Sequence, residues 1–158
     1  MNDTVLNAGD VIRGSAGKVY GIIGEDRYLL MHVKNIEAKG EVNIAEVKRV
    51  GTNEVGYKPT TITYDGSMTV YYCSPLFRNM LNDFKKTGKA VYFDLHLIND
   101  DQTSNAGRRS TFLKGCLLKN FTVAKIDADS DFLEEEADFV YTTYESDEDF
   151  KLLEGTQQ

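Results

Sequence analysis

The sequence predicts a mainly β domain of about seven strands, with one α-helix packed on its flank at about residues 75–87. Three observations predict it: repeated two-residue alternation of apolar and polar side chains, a single stretch with a helical period instead, and 158 residues holding only two prolines and no repeat or linker-like segment. Residues 1–158 are therefore read as one domain, with 41% apolar residues to build its core.

The first extended segments are residues 19–23 and 28–38, flanking the turn-like Gly24-Glu25-Asp26-Arg27. Between residues 60 and 72, Ile62, Tyr64, Met68, Val70 and Tyr72 share one face, and Thr61, Thr63, Asp65, Ser67 and Thr69 the other. That is a long half-buried strand, in which Gly66 is expected to mark a bulge or bend. The helical stretch follows. Leu76, Phe77, Met80, Leu81 and Phe84 recur at helical spacing, Ser74 suits the N-cap and Pro75 the first turn, Lys85 and Lys86 suit the C-terminal dipole, and Gly88 suits the left-handed stop. Its apolar stripe reads as core packing.

A second alternation places Val91, Phe93, Leu95 and Leu97 inward, with Asp94 and His96 on the opposite face. Residues 110–126 are rich enough in Thr, Phe, Leu and Val to be extended. The last alternation turns Leu133, Ala137, Phe139 and Tyr141 to the core and presents Glu134, Glu136 and Asp138 outward.

Formal charge is −7, unevenly placed. Of 25 acidic residues, 11 fall in the acidic C-terminal segment at 129–154, where Lys151 is the only base. Such a stretch is either a solvated face or a surface that repels an anion. Basic residues form no stripe with interleaved aromatics, so specific nucleic-acid binding gains no support. No run approaches the ~20 apolar residues that span a bilayer. The first residues lack both a basic start and an apolar core, so no export signal is expected, and the Asn-x-Thr triplets at Asn2 and Asn120 are read as unmodified. Cys73 and Cys116 lie far apart without metal-ligand spacing and are expected to be reduced, buried thiols.

Catalytic and metal patterns fail on specifics, and no cofactor is expected. Gly14-Ser15-Ala16-Gly17-Lys18 approaches a phosphate loop, yet Ile12 stands at its first glycine and Val19 where Ser or Thr would hold magnesium. Asp94 and His96 share a strand face but have no third ligand or nucleophile, and read as an outward polar pair. Asp127, Asp129 and Asp131 match the first ligands of a calcium loop. Phe132 replaces its glycine and Asp138 its closing Glu, so the stretch reads as a polar strand connection.

Several pieces in a fixed order carry a resemblance. They are Val33-Lys34-Asn35-Ile36-Glu37-Ala38-Lys39, Val50-Gly51-Thr52, Gly56-Tyr57-Lys58, Ile62-Thr63-Tyr64-Asp65-Gly66, the amphipathic helix, and the polar loop from Asn99-Asp100-Asp101 to Gly107-Arg108-Arg109. Leu113-Lys114-Gly115-Cys116 and the acidic strand running to residues 139–144 complete the set. From about residue 14 to 150, the chain resembles the tail tube proteins of PBSX-type prophages, also found in phage-tail-like bacteriocins.

The resemblance implies a β-sandwich or barrel-like subunit without chemistry, forming six-membered rings stacked into a hollow tube inside a contractile sheath. Such a tube conducts DNA without binding it specifically, or punctures a target envelope; it is similar in plan to the type VI secretion tube. Implied partners are further copies of the chain, with sheath, baseplate and tape-measure proteins. The implied location is a virion tail or tail-like particle, assembled in the bacterial cytoplasm. On this reading the polar stretch at 41–59 (Glu46, Lys48, Arg49, Gly51, Thr52, Asn53, Glu54, Gly56, Tyr57 and Lys58 among its residues) reaches a neighbouring subunit or ring, and Glu134, Glu136 and Asp138 line the channel or its rim, the competing placement being the outside, against sheath or a neighbouring subunit. A monomeric β-sandwich binding module is the alternative and a small hydrolase a distant third.

Overall fold

A computed structural model describes residues 5–157. Eight strands and one helix follow in the order β1 (Gly17–Ile23), β2 (Asp26–Leu29), β3 (Val33–Val47), β4 (Gly56–Tyr71), α1 (Leu76–Thr87), β5 (Phe93–Asp100), β6 (Arg108–Leu118), β7 (Glu134–Tyr141) and β8 (Thr143–Glu148). All pairings are antiparallel. The hydrogen-bonded order is β2-β1-β5-β6-β7-β4-β3, with β8 added on β6.

Two layers arise because β6 serves both. Its first part lies between β5 and β8, and its end, Leu117 and Leu118, pairs with Val140 and Phe139 of β7. The corner between the layers is at Gly115, whose φ of +68° only glycine adopts readily, and where an added Cβ would stand 2.7 Å from Thr142 Oγ1. Thr142, which donates its amide to Lys114 O, is also where β7 ends and β8 begins.

The core lies between the layers and holds Met68, Val70, Leu95, Leu113, Cys116, Ala137 and Phe139. Helix α1 closes one side of this sandwich, with Phe77 and Met80 buried. The Arg78 guanidinium ties it to the buried Glu135 carboxylate at 2.8 Å.

The alternation of β4 and β7 places the faces as expected, with Glu135 added to the inner side of β7. Other expectations change. Residues 28–38 are not one strand: β2 pairs with β1, the chain turns at residues 30–32, and β3 joins the other layer. Gly66 is no bulge. It sits in register between Ala38 and Phe139, where an added Cβ would meet Phe139 Cζ at 2.5 Å and Glu37 O at 2.7 Å, so it makes room for the largest fully buried side chain. The register shifts of β3 against β4 lie elsewhere, between Val33 and Asn35 and between Asn43 and Ile44, the second beside Pro59.

The helix begins one residue later than expected: Pro75 is the cap residue, and Ser74 Oγ accepts from Leu76 N at 3.4 Å. Gly88 closes it in the left-handed conformation. Residues 119–133 carry no strand, because β7 takes Lys119 only through a last amide bond to Asp138 O and Asn120 then caps Asp138 by its side chain. Cys116 is buried but Cys73 is exposed, since β4 has ended by that point.

Candidate functional site

The residues expected to form a polar loop at 41–59 mostly do not. β3 and β4 continue as a paired ribbon down to Val47 opposite Gly56, leaving residues 48–55 as the tip. Glu46 lies in β3; Gly56, Tyr57 and Lys58 lie in β4; Lys48, Arg49, Gly51, Thr52, Asn53 and Glu54 lie in the tip. Val42, Ile44 and Ile62 supply the apolar, β-branched positions that sustain the pairing, a signal that the polar neighbours had masked. The last pair between β4 and β7 is Tyr64 with Tyr141, so the ribbon beyond it has no third strand. Val42, Ile44, Tyr57 and Ile62 are 50%, 61%, 70% and 55% exposed there. A two-stranded ribbon is marginally stable alone, and apolar groups concentrated on one mark an association surface.

Three strands share a polar outer face. Glu37, Ser67 and Asp138 stand in register across β3, β4 and β7, with Glu41 and Thr63, Thr69 and Glu136, and Tyr71 and Glu134 continuing the rows. Lys34 pairs with Glu134 at 2.8 Å and Lys39 with Glu37 at 3.5 Å, all four side chains part-exposed or exposed. Acids outnumber lysines on the face, and it carries no large aliphatic cluster. Glu134, Glu136 and Asp138 thus point away from the core on one strand. β3, at the end of the strand order, leaves a 15-residue edge without a strand partner among the described residues. Such an edge invites pairing with another chain.

The residues that suggested chemistry do something else. His96 is 7% exposed rather than outward in water. Its Nδ1 accepts from the Arg27 guanidinium at 2.7 Å, its Nε2 meets Ser110 Oγ at 2.6 Å, and its ring stacks on Phe112 at 3.9 Å. An arginine is always a donor, so Nδ1 is the acceptor and Nε2 carries the proton towards Ser110. Burial, then the Arg27 charge, lower the His96 pKa below its ordinary value. A serine nucleophile needs the reverse polarity, a carboxylate on Nδ1. Asp94 instead accepts from Gly115 N at 3.1 Å.

Gly17 and Lys18 begin β1 rather than a helix, which removes the phosphate-loop reading. Asp127 accepts from Asp129 N and Ser130 Oγ, forming a turn, and no cluster of three metal-ligating side chains occurs among the described residues. No helix among them is long and apolar enough to cross a membrane.

One further polar centre was not signalled by any motif. The Asp101 side chain is fully buried and accepts from Arg13 N (2.9 Å), Thr103 N (3.0 Å) and Thr103 Oγ1 (2.6 Å), with Arg13 Nε at 3.2 Å. These donors, the Thr103 hydroxyl first, hold its carboxyl far below the usual range. It clasps the segment before β1 to the β5–β6 connection.

Against this geometry, a family model described as phage tail tube protein matches residues 4–148. The Bacillus subtilis (strain 168) phage-like element PBSX protein XkdM is 32% identical over 140 residues, covering 89% of this chain and 92% of that protein. The YqbM protein of the same strain, uncharacterised, is 31% identical over 146 residues, 92% of this chain and 97% of that one. Among solved structures, a chain of the anti-feeding prophage baseplate superposes with a TM-score of 0.63 at 10% identity, over 92% of this chain and 97% of that one. A chain of the extended PVC sheath-tube complex, an extracellular contractile injection system, gives 0.61 at 11% identity, over 82% and 87%. The SPP1 tail tube gives 0.62 at 9% identity, over 90% and 81%. At such identities these superpositions establish the shared fold.

Proposed function

From the premise that this chain belongs to the phage tail tube protein family, we infer that it forms six-membered rings that stack into a hollow tube. The tube conducts DNA or punctures a target envelope, without catalysis or cofactor. The β3–β4 ribbon carries this reading. Its apolar residues stand in water and β3 has no outer partner among the described residues, so a second copy supplies what the monomer lacks. Closed rings abolish the sheet edge, and a hydrated, net acidic sheet face suits a channel that must not hold phosphates. Sheath, baseplate and tape-measure proteins are the expected further partners, and a tail or tail-like particle assembled in the cytoplasm the expected location.

Light scattering and negative-stain microscopy of the purified protein test the assembly. Rings with six-fold averages, and tubes at higher concentration, are expected. Protein that remains monomeric at high concentration, with no rings in co-purified particles, overturns the reading in favour of a monomeric binding module.

A further inference from the structure

One cluster on the outer face of the β2-β1-β5-β6-β8 layer takes a side chain from every strand of that layer. Alternation turns His96 of β5 away from the core, yet its neighbours bury it. Tyr20 of β1 and Phe112 of β6 pack against its ring, with centroids 5.9 and 3.9 Å away. Arg27 of β2 lies over Tyr20, 4.0 Å from the ring centroid, and donates to His96 Nδ1. On the other side the buried Ser110 of β6 accepts from Nε2 and bonds the Asp147 carboxylate of β8.

Asp147 reaches Ser110 because β8 bulges there. Ser110 pairs with Glu148 and Thr111 with Ser146, so Asp147 is the extra residue that the ladder skips. A bulge re-aims a side chain. The chain of bonds therefore runs one way, from a cation that can donate but not accept, through a neutral imidazole and a hydroxyl, to an anion that accepts. A proton on Nδ1 would set two donors face to face 2.7 Å apart. The Arg27 charge acts most strongly against that proton and Arg108 adds to it, with Asp147 opposing both.

β2 hangs on this joint. It is four residues long, exposed throughout and paired to β1 alone. No β2 side chain but Arg27 makes a hydrogen bond or ion pair among the described residues.

We propose that His96 is an acid-operated latch for β2: protonation at Nδ1 expels Arg27, and β2 parts from β1 while the sandwich beneath stays folded. Neutral pH keeps the β1 edge covered. Acid bares it as an unpaired edge, open to another strand. The direction follows from linkage. The closed form favours the neutral ring and the opened one titrates at the ordinary 6.5, so closure is complete above 6.5 and weakens as pH falls below it. The latch operates whether or not the chain forms tubes.

Amide hydrogen exchange read by mass spectrometry, on protein too dilute to polymerise, tests the latch because it separates β2 from the core strands. Protection of residues 26–30, corrected for the intrinsic effect of pH, should fall about tenfold per pH unit from 6.5 down to the His96 midpoint and level off below it. Exchange of the His96 ring C2 hydrogen in the same samples gives that midpoint. β4 and β7 should stay more protected than β2 throughout, and low urea should not speed β2 exchange, as a local opening requires. Asp147→Asn, an exposed substitution, removes the charge that favours the imidazolium and should move the midpoint and the levelling point to lower pH together. His96→Gln should abolish the fall. His32 lies in the turn after β2 and is also held neutral by burial. A fall that survives in His96→Gln assigns the effect to His32 and overturns the latch. β2 protection that ignores pH, that is lost only along with β4 and β7, or that levels off at an unshifted pH in Asp147→Asn overturns it as well.

Discussion

Gly66 and His96 show how single residues set the tolerance of this fold. Gly66 lies under the Phe139 ring and against the Glu37 carbonyl, both closer than any Cβ tolerates. Gly66→Ala should therefore destabilise by ~1–3 kcal/mol, the cost of overpacking a filled core, read as a lowered urea midpoint with unchanged m. Unchanged stability would mean that Phe139 can turn aside. His96 sets an acid limit. Its pKa is lowered by burial first and then by Arg27, and that of His32 by burial, so the native state favours both rings neutral. The unfolded chain takes up protons at pH 6.5 while the native one does not, so stability is complete above pH 6.5 and falls as pH drops below it. Asp101 acts later: its lowered pKa means that its contribution is complete above 3.8 and is lost in stronger acid. Tm measured at pH 7.5 and 5.5 should fall, and His96→Gln should fall less; equal slopes would assign the acid sensitivity to His32 alone. The glycine was visible in the sequence but its reason was not, because the Phe139 ring that needs the space comes from 73 residues further along the chain. The Arg27–His96–Ser110 chain was equally hidden, joining three strands with no local motif.

Elements with a period were legible and elements defined by their partners were not. The strand faces of β4, β5 and β7 and helix α1 follow from side-chain spacing alone. The ribbon was read as a loop because Gly51, Gly56, Pro59 and many polar residues punctuate residues 41–59, whereas the pairing of Val42 with Ile62 and Ile44 with Pro59 keeps the strands together past the bulge. Likewise the end of β6 at Leu118 is decided by where β7 stops pairing, not by the β-prone residues that follow. The register also improves the test of the ribbon. Ala45 and Lys58 face each other, so replacing residues 46–57 by Asn-Gly closes a two-residue hairpin in register. The variant should stay folded by circular dichroism, within ~0.5 kcal/mol of wild type because it removes surface rather than core, and should no longer polymerise. Tubes from that variant would show that the ribbon tip is dispensable for assembly.

At the scale of the molecule, the two faces of the β3-β4-β7 layer divide the work: one builds the core with Met68, Ala137 and Phe139, and the other is mostly polar, with Val140 and Tyr71 among its acids and hydroxyls. A face that only needed to be soluble would tolerate mixed charge, but a wall along which DNA slides has a stricter requirement. Each lysine or arginine that neutralises a phosphate releases counterions, so a row repeated around a ring would retain the strand. Glu134, Glu136 and Asp138 make such a row acidic, with Glu134 offset by Lys34 and Asp138 held by Asn120. These contacts are exposed or part-exposed, so each contributes little to stability, and reversing the charges should spare folding and assembly. Particles carrying Glu134→Lys, Glu136→Lys and Asp138→Lys together should therefore assemble tubes of normal length yet eject DNA ~10-fold or more slowly, with the delay shrinking as salt is raised. Placement of the three side chains in a reconstruction of the tube gives the direct check. If they lie on its outer wall, or if the triple variant ejects at the wild-type rate, the acidic face belongs to a contact with another protein and not to the channel.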